Sequence, residues 1–442
     1  MWASRRAAPR DRRRRPPRRA ARAAAERAHR RARRAIYLGA HRRGIPRAAP
    51  RRRGGLNILY HFRTQGTGAE GVHIAGIATA FERLGHRVIF SSPTGVDPRT
   101  TAGTNPFAEK KRRGLFSRLA AHAPAFIFEL LEIAYNVIAY KRNRAALTRE
   151  NCALIYERHA FFLCATAFLA QRRGLPLVVE VNELAGDERV RAAPWLLPLA
   201  RLADRLTFQR ASLIVAVSPH VERRIAALGI APEKILVLPN AVSAESLDTP
   251  ADGAPIRTRH HCADAVVIGF VGWFVPWHRL DNLLTQFATL ATADTRLMLT
   301  GDGPLRATLT AQAAALGIAD RIIFTGSVPH AEIPAHLAAM DICVVPHSNE
   351  YRSPIKLFES MARARATVAP RTEPIAQVIT DGMNGLLFDP QNPASLREAL
   401  QCLIASPSLR AQLGATALAT IREHHTWDQN AAAVLAAMRP RL

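Results

Sequence analysis

The residues with the most chemistry per position lie in Asn349-Glu350-Tyr351-Arg352-Ser353-Pro354-Ile355-Lys356-Leu357-Phe358-Glu359. Ser353 is a favoured helix N-cap and Pro354 suits the first helical position, so this spacing predicts a helix that begins here. The opening turn of a helix presents unpaired N–H groups and the positive end of its dipole, a ready seat for phosphate. Lys356, at the third helical position, adds a cation beside that seat. Glu359 follows three residues later on the same face. A carboxylate that far into an otherwise apolar helix needs a hydroxyl or cation partner, and a ribose diol would serve. A cation for a diphosphate and a carboxylate for a sugar would answer both ends of a nucleotide. A solvated Lys–Glu helix pair has the same spacing, so the surrounding chain decides between the two.

Those surroundings are short apolar, β-branched runs alternating with stretches of helical period. In the first half the strand candidates are Leu56–Phe62, Arg87–Ser92, Leu154–Glu157, Leu177–Asn182, Leu213–Ser218 and Ile235–Leu238. In the second half they are Ala265–Val271, Leu297–Thr300, Arg321–Phe324, Ile342–Val345, Thr367–Ala369 and Gly385–Phe388. Near-continuous apolar strands separated by helices predict parallel sheets covered on both faces. The expected fold is α/β: two Rossmann-like domains, residues 54–245 and 260–408, facing a central cleft. A linker at 246–259 joins them, and helices in 409–442 pack back across both. Ligands of such sheets sit at the carboxyl ends of the strands.

Charge is distributed unevenly. The chain of 442 residues carries a formal +26, but residues 1–53 hold 21 Arg with only Asp11 and Glu26 as acids, which is +19. The other 389 residues carry +7, so the basic balance belongs to a tail that reads as disordered. The tail lacks the aromatic interleaving of RNA-binding modules, and nucleic acid is not the expected partner. No stretch of about 18 apolar residues is free of charge, so no membrane-spanning helix is expected. Five scattered cysteines without C-x-x-C spacing argue against a disulfide framework or zinc site and fit a cytoplasmic protein. Lys110–Arg113 precede the amphipathic stretch Gly114–Tyr140, which suits either a core helix or peripheral contact with an anionic membrane at the inner face of the plasma membrane.

Several motifs complete the pattern. Gly269-Phe270-Val271-Gly272 closes a strand and runs into Trp273-Phe274-Val275-Pro276-Trp277-His278-Arg279. Thr300-Gly301-Asp302-Gly303-Pro304, Phe324-Thr325-Gly326-Ser327-Val328-Pro329 and Gly382-Met383-Asn384-Gly385 follow. In the first half, Gly66-Thr67-Gly68-Ala69-Glu70-Gly71-Val72-His73 joins strand to helix, and glycines there permit close backbone approach. Val217-Ser218-Pro219 and Leu238-Pro239-Asn240-Ala241-Val242 mark the junction. In order and spacing this series resembles the retaining, GT-B-type family 4 (group 1) glycosyltransferases over roughly residues 56–440. The stretches Ile58–Gly66 and Glu180–Gly186 look like a bacterial polysaccharide-assembly branch.

The resemblance implies sugar transfer from a nucleotide-diphosphate donor to a saccharide or polyprenyl-linked acceptor, with retention and without metal or other cofactor. It implies donor contacts at Gly68, Gly272, His278, Val328, Glu350, Ser353, Pro354, Leu357 and Glu359, and catalytic contributions from Lys356, Arg279, Asn182, Glu183 and His73. Departures from the family pattern are specific. The usual first carboxylate of its Glu-x7-Glu pair is Tyr351, with Glu350 one residue off. The usual Arg and Lys after the second-half glycine are Trp273 and His278, leaving Lys356 with Arg279, or Arg63 from across the cleft, to meet the diphosphate. Asn182 stands where a histidine is frequent, and Arg363-Ala364-Arg365 replaces a small Ala-Gly turn after the helix, implying altered termination. Competing readings are a sugar-nucleotide epimerase of the same architecture and a non-catalytic nucleotide- or anionic-surface binder.

Overall fold

The computed structural model describes residues 55–66, 68–101, 125–187 and 194–441. The Arg-rich residues 1–53, the Lys110–Arg113 run and residues 114–124 of the amphipathic stretch lie outside them.

Every expected strand forms. The first half contributes β1 (Asn57–His61), β2 (Arg87–Ser91), β3 (Leu154–Arg158), β4 (Leu177–Val181), β5 (Leu213–Ala216) and β6 (Ile235–Val237). The second contributes β7 (Val266–Val271), β8 (Thr295–Thr300), β9 (Ile322–Gly326), β10 (Ile342–Val344), β11 (Ala366–Pro370) and β12 (Leu386–Phe388). Pairing is parallel throughout, in the orders β2-β1-β3-β4-β5-β6 and β12-β11-β10-β7-β8-β9. All five residues of β4 are buried, Glu180 included, as expected for a strand with both faces covered. Each sheet therefore has its own core on both sides.

Six helices bear on function: α1 (Gly68–Arg83), α2 (Ala125–Glu150), α3 (Leu197–Arg210), α4 (Ile355–Ala362), α5 (Pro407–His424) and α6 (Trp427–Met438). The C-terminal helices part at Thr426, whose side chain and Gln429 form a reciprocal capping box. The division sends the two pieces to different cores. Ala417 and Ile421 of α5 pack with Leu357, Phe358 and Met361 of α4. Trp427, Ala431 and Val434 of α6 pack with Ile74 and Ile77 of α1. Gly76 is required there, because a Cβ would run into the Trp427 indole.

The linker segment 246–259 carries short helices of its own. It holds part of the helix Ala244–Asp248 and all of Ala254–Arg259, and Arg257 of the second donates to the Ala339 carbonyl at 2.9 Å. The Arg363-Ala364-Arg365 turn is accommodated by its surroundings. Helix α4 stops at Ala362 with Ala364 in the left-handed region, φ 53°. Gly414 of α5 leaves room for the Ala364 backbone, while Arg363 and Arg365 bond to carbonyls of neighbouring segments. Among the described residues no helix is long and apolar enough to cross a membrane.

Candidate active site

A cleft of about 1230 Å³ opens where both sheets reverse their strand order. In the first half the reversal lies between β1 and β3, and residues at or just beyond the ends of these strands, Thr64, Arg158 and His159, line the cleft. In the second half it lies between β7 and β10, and Gly272, His278 and His347 line the opposite wall. Crevices outside the carboxyl ends of strands at such reversals are where open parallel sheets bind ligands.

On the second-half wall, Lys356 sits in the first turn of α4 with its ammonium turned to the end of β7. Its Nζ donates to His278 Nε2 at 3.2 Å and lies 4.2 Å from the Phe270 ring centroid. The Nδ1–H of His278 donates to the Trp273 carbonyl at 2.6 Å, which leaves Nε2 as the acceptor. Burial, and then the charge of Lys356, push the His278 ring down to about 2, so it stays neutral. Burial lowers Lys356 to about 7, with Glu359 pulling upward and Arg352 pushing further down. Gly272, at φ 143°, allows this arrangement, since a Cβ would stand 2.6 Å from Nζ. One helical turn on, Glu359 Oε1 pairs with His330 Nε2 at 3.0 Å, and this bond raises the His330 pKa against the opposing effect of burial.

The first-half wall is organised around a buried carboxylate. Glu180 accepts from Arg158 at 2.6 Å and Asn182 at 2.9 Å through Oε1, and from Tyr156 and His73, both at 2.8 Å, through Oε2. Burial alone would raise its pKa, but His73 and Arg158 outweigh that and hold the carboxyl far below the ordinary range. Glu70, at the start of α1, is shifted the other way. Burial raises it, against the Arg158 charge and bonds from Thr64 and the amides of Gln65 and Gly66.

The structure brings most of the sequence-derived residues together. Gly68, His73, Asn182, Glu183, Gly272, His278, Val328, Ser353, Pro354, Lys356 and Glu359 all line the cleft. Three do not. Leu357 is completely buried beside Phe358 and Met361, because it falls on the inner face of α4. Arg279 adopts a left-handed backbone (φ 50°), and its exposed side chain pairs with Asp281 at 3.3 Å. Glu350 is exposed outside the lining, whereas Tyr351, at the family's carboxylate position, plugs into the first-half core.

The capping geometry also differs from the expectation. Pro354 occupies the N-cap of α4 and makes no side-chain cap bond, placing Lys356 one position nearer the helix start. The Ser353 hydroxyl instead accepts from the Asn240 amide at 2.9 Å, and the Asn240 side chain donates to the Ser353 carbonyl at 2.5 Å. Ser218 Oγ donates to the Tyr351 carbonyl at 2.8 Å. The loop entering α4 is thus anchored to the first half, which no local motif signals. Thr64, Glu70, Arg158 and His330 are lining residues that sequence reasoning passed over. Only Arg158, directly at the end of an apolar strand, had a local cue.

Comparison with known proteins matches residues 70–246 to the description "Glycosyltransferase Family 4" and residues 265–406 to "Glycosyl transferases group 1". The chain is 25% identical over 357 residues to alpha-D-kanosaminyltransferase of Streptomyces kanamyceticus, covering 75% of this chain and 89% of that protein. It is 27% identical over 265 residues to a GDP-mannose-dependent alpha-(1-6)-phosphatidylinositol monomannoside mannosyltransferase of Mycolicibacterium smegmatis, covering 56% and 69%. Among solved structures, HepE from Anabaena in complex with UDP-glucose superposes with a TM-score of 0.65 at 19% identity, covering 86% of this chain and 99% of that one. At this identity the likeness shows the fold, which is GT-B.

Proposed function

The chain belongs to the family 4, group 1 glycosyltransferases, and from that membership and the cleft geometry we propose that it transfers a sugar from a nucleotide-diphosphate donor to a saccharide or lipid-linked acceptor, with retention, in cell-surface glycan synthesis. The single observation that carries this reading is Lys356. It is a cation in the first turn of a helix, lining a large cleft, with a neutral ring as its hydrogen-bond acceptor and Glu359 one turn away.

The donor diphosphate would lie against the first amides of α4, with Lys356 meeting the negative charge that grows on the leaving group. Preorganised charge of this kind is the largest contribution in many enzymes. His278, as acceptor, holds the ammonium over the site and is not itself a cationic contact. The ribose diol would meet Glu359 and the base would lie by Val328. The binding of UDP-glucose by HepE supports a nucleotide sugar as donor class.

Across the cleft, Asn182, Glu183 and His73 would orient the acceptor hydroxyl, whose proton passes to an oxygen of the departing diphosphate on the same face of the sugar. The bond from anomeric carbon to diphosphate breaks as the bond to the acceptor oxygen forms, and configuration is kept. Two relatives are named for alpha-linked products, the outcome retention gives from an alpha-linked donor. The proposed route uses an ammonium and backbone amides for charge and calls for no metal.

The test is incubation of the full chain with a panel of nucleotide sugars, reading free nucleotide diphosphate and thermal stabilisation. One donor should raise the melting temperature by mass action and turn over when an acceptor is added. No shift and no release with any donor would sink the proposal.

A further inference from the structure

Helix α2 wears its apolar residues on the outside. Phe126, Ile127, Leu130, Leu131, Val137 and Ile138 are all exposed, with Leu131 at 62% and Val137 at 60%. Over these residues the face runs for about 18 Å at the helical rise. One flank of this face and the side behind it are engaged by the rest of the protein. Glu129 accepts from the Trp195 and Leu196 amides, each at 2.8 Å, Ile133 packs with Leu196 and Leu197 against the Phe161, Phe162, Ala185 and Ala200 cluster, and Asn143 bonds Ser91 and Thr166. The Glu129 bonds dock the entry to α3 beside the apolar face, and Trp195 (73% exposed), Leu199 and Leu202 extend it. Patches of this extent on a soluble surface mark interaction sites.

Charge identifies the occupant. The outward cations of the two helices are Lys141, Arg142, Arg144, Arg201 and Arg205, all exposed. Their carboxylates are turned away: Glu129 is buried on the amides, Glu132 pairs with Arg63, Asp204 pairs with His159, and Glu150 lies against Arg87 and Arg149 at the far end of α2. An apolar strip rimmed by cations without outward acids fits the interface of an anionic bilayer, with apolar side chains among the acyl chains and cations at the headgroups.

We infer that the α2–α3 face is a docking surface for an anionic lipid membrane. The Arg63–Glu132 pair ties it to the segment after β1, whose Thr64 lines the cleft, so docking sets the cleft beside the headgroups. The inference does not depend on the identity of donor or acceptor, because binding to lipid is measured without turnover.

The test is flotation of the full chain with vesicles of phosphatidylcholine alone or mixed with phosphatidylglycerol. The Arg-rich tail also attracts anionic vesicles, so the measurement is repeated at high salt, where exposed charges are screened and inserted apolar groups are not. Wild-type protein should float with the mixed vesicles and keep part of that binding at high salt. The double variant Leu131→Glu/Ile138→Glu should lose roughly tenfold or more of the high-salt partitioning, while Met383→Glu, a comparably exposed apolar site in the second half, should not. Brominated lipid should quench a fluorescence component that Trp195→Phe removes. Because the substituted residues are exposed, melting temperatures should match wild type. Equal flotation of the double variant and wild type would overturn the inference, as would absence of quenching. A dimer dissociated by the double variant would overturn it in favour of a second copy.

Discussion

The two walls of the cleft handle charge in opposite ways. In the first half, Glu180 is matched inside the protein by Arg158, His73, Tyr156 and Asn182, so the wall is electrostatically complete before any ligand arrives. In the second, Lys356 has a neutral acceptor in His278, and Glu359 is turned to His330 instead. A buried ammonium without a hydrogen-bonded carboxylate is costly and gains when an anion enters. On the proposed function, the first wall would position a neutral polyol and the second would grip a diphosphate. The difference separates residues needed for stability from residues needed for binding.

Substitutions can break that contrast. The largest expected effect is on the completed wall: Glu180→Ala leaves the Arg158 guanidinium buried without its counter-charge and breaks the bonds from His73, Tyr156 and Asn182, and should lower unfolding free energy by about 3–5 kcal/mol, read by denaturant titration. Lys356→Ala should do the reverse. It should leave stability unchanged or slightly raised, yet cost roughly 10²–10³ in kcat/KM for the donor. A comparable loss of stability in Lys356→Ala would erase the distinction between the walls.

Proton linkage sharpens it further. Lys356 titrates near 7 when the site is empty, and a bound diphosphate would raise it. Donor binding should therefore take up a proton above that pH, and affinity should fall by up to about tenfold per unit as pH rises past 7. Calorimetry in buffers of different ionisation enthalpy measures the uptake, and pH-independent affinity between 6 and 9 would contradict it. The smallest effect belongs to His330. The pair with Glu359 is half-exposed, so His330→Ala should change donor KM by roughly threefold or less with kcat held.

Much of this was legible from residue types. The twelve strands followed from apolar runs bounded by turn residues, and the helix bearing Lys356 and Glu359 followed from a Ser-Pro start and an apolar period. What failed were inferences about direction. Arg279 reads as a second cation for the diphosphate, but a left-handed backbone turns it toward Asp281. Leu357 reads as part of the seat, but the helical period puts it in the core. Tyr351 reads as a lost carboxylate, whereas its ring supplies packing for the opposite half.

Sequence alone determined the two parallel sheets, the glycine-bearing turns at their strand ends and the helix entrance with its cation and carboxylate, because these depend on local propensity and short spacing. Tertiary structure decided which charges are matched. His73, Arg158 and Glu180 come from different segments, and so do His278 and Lys356. The pKa values of Glu180, His278 and Lys356 depend on what surrounds each at a few ångströms, a quantity set by chain segments that spacing along the sequence does not relate.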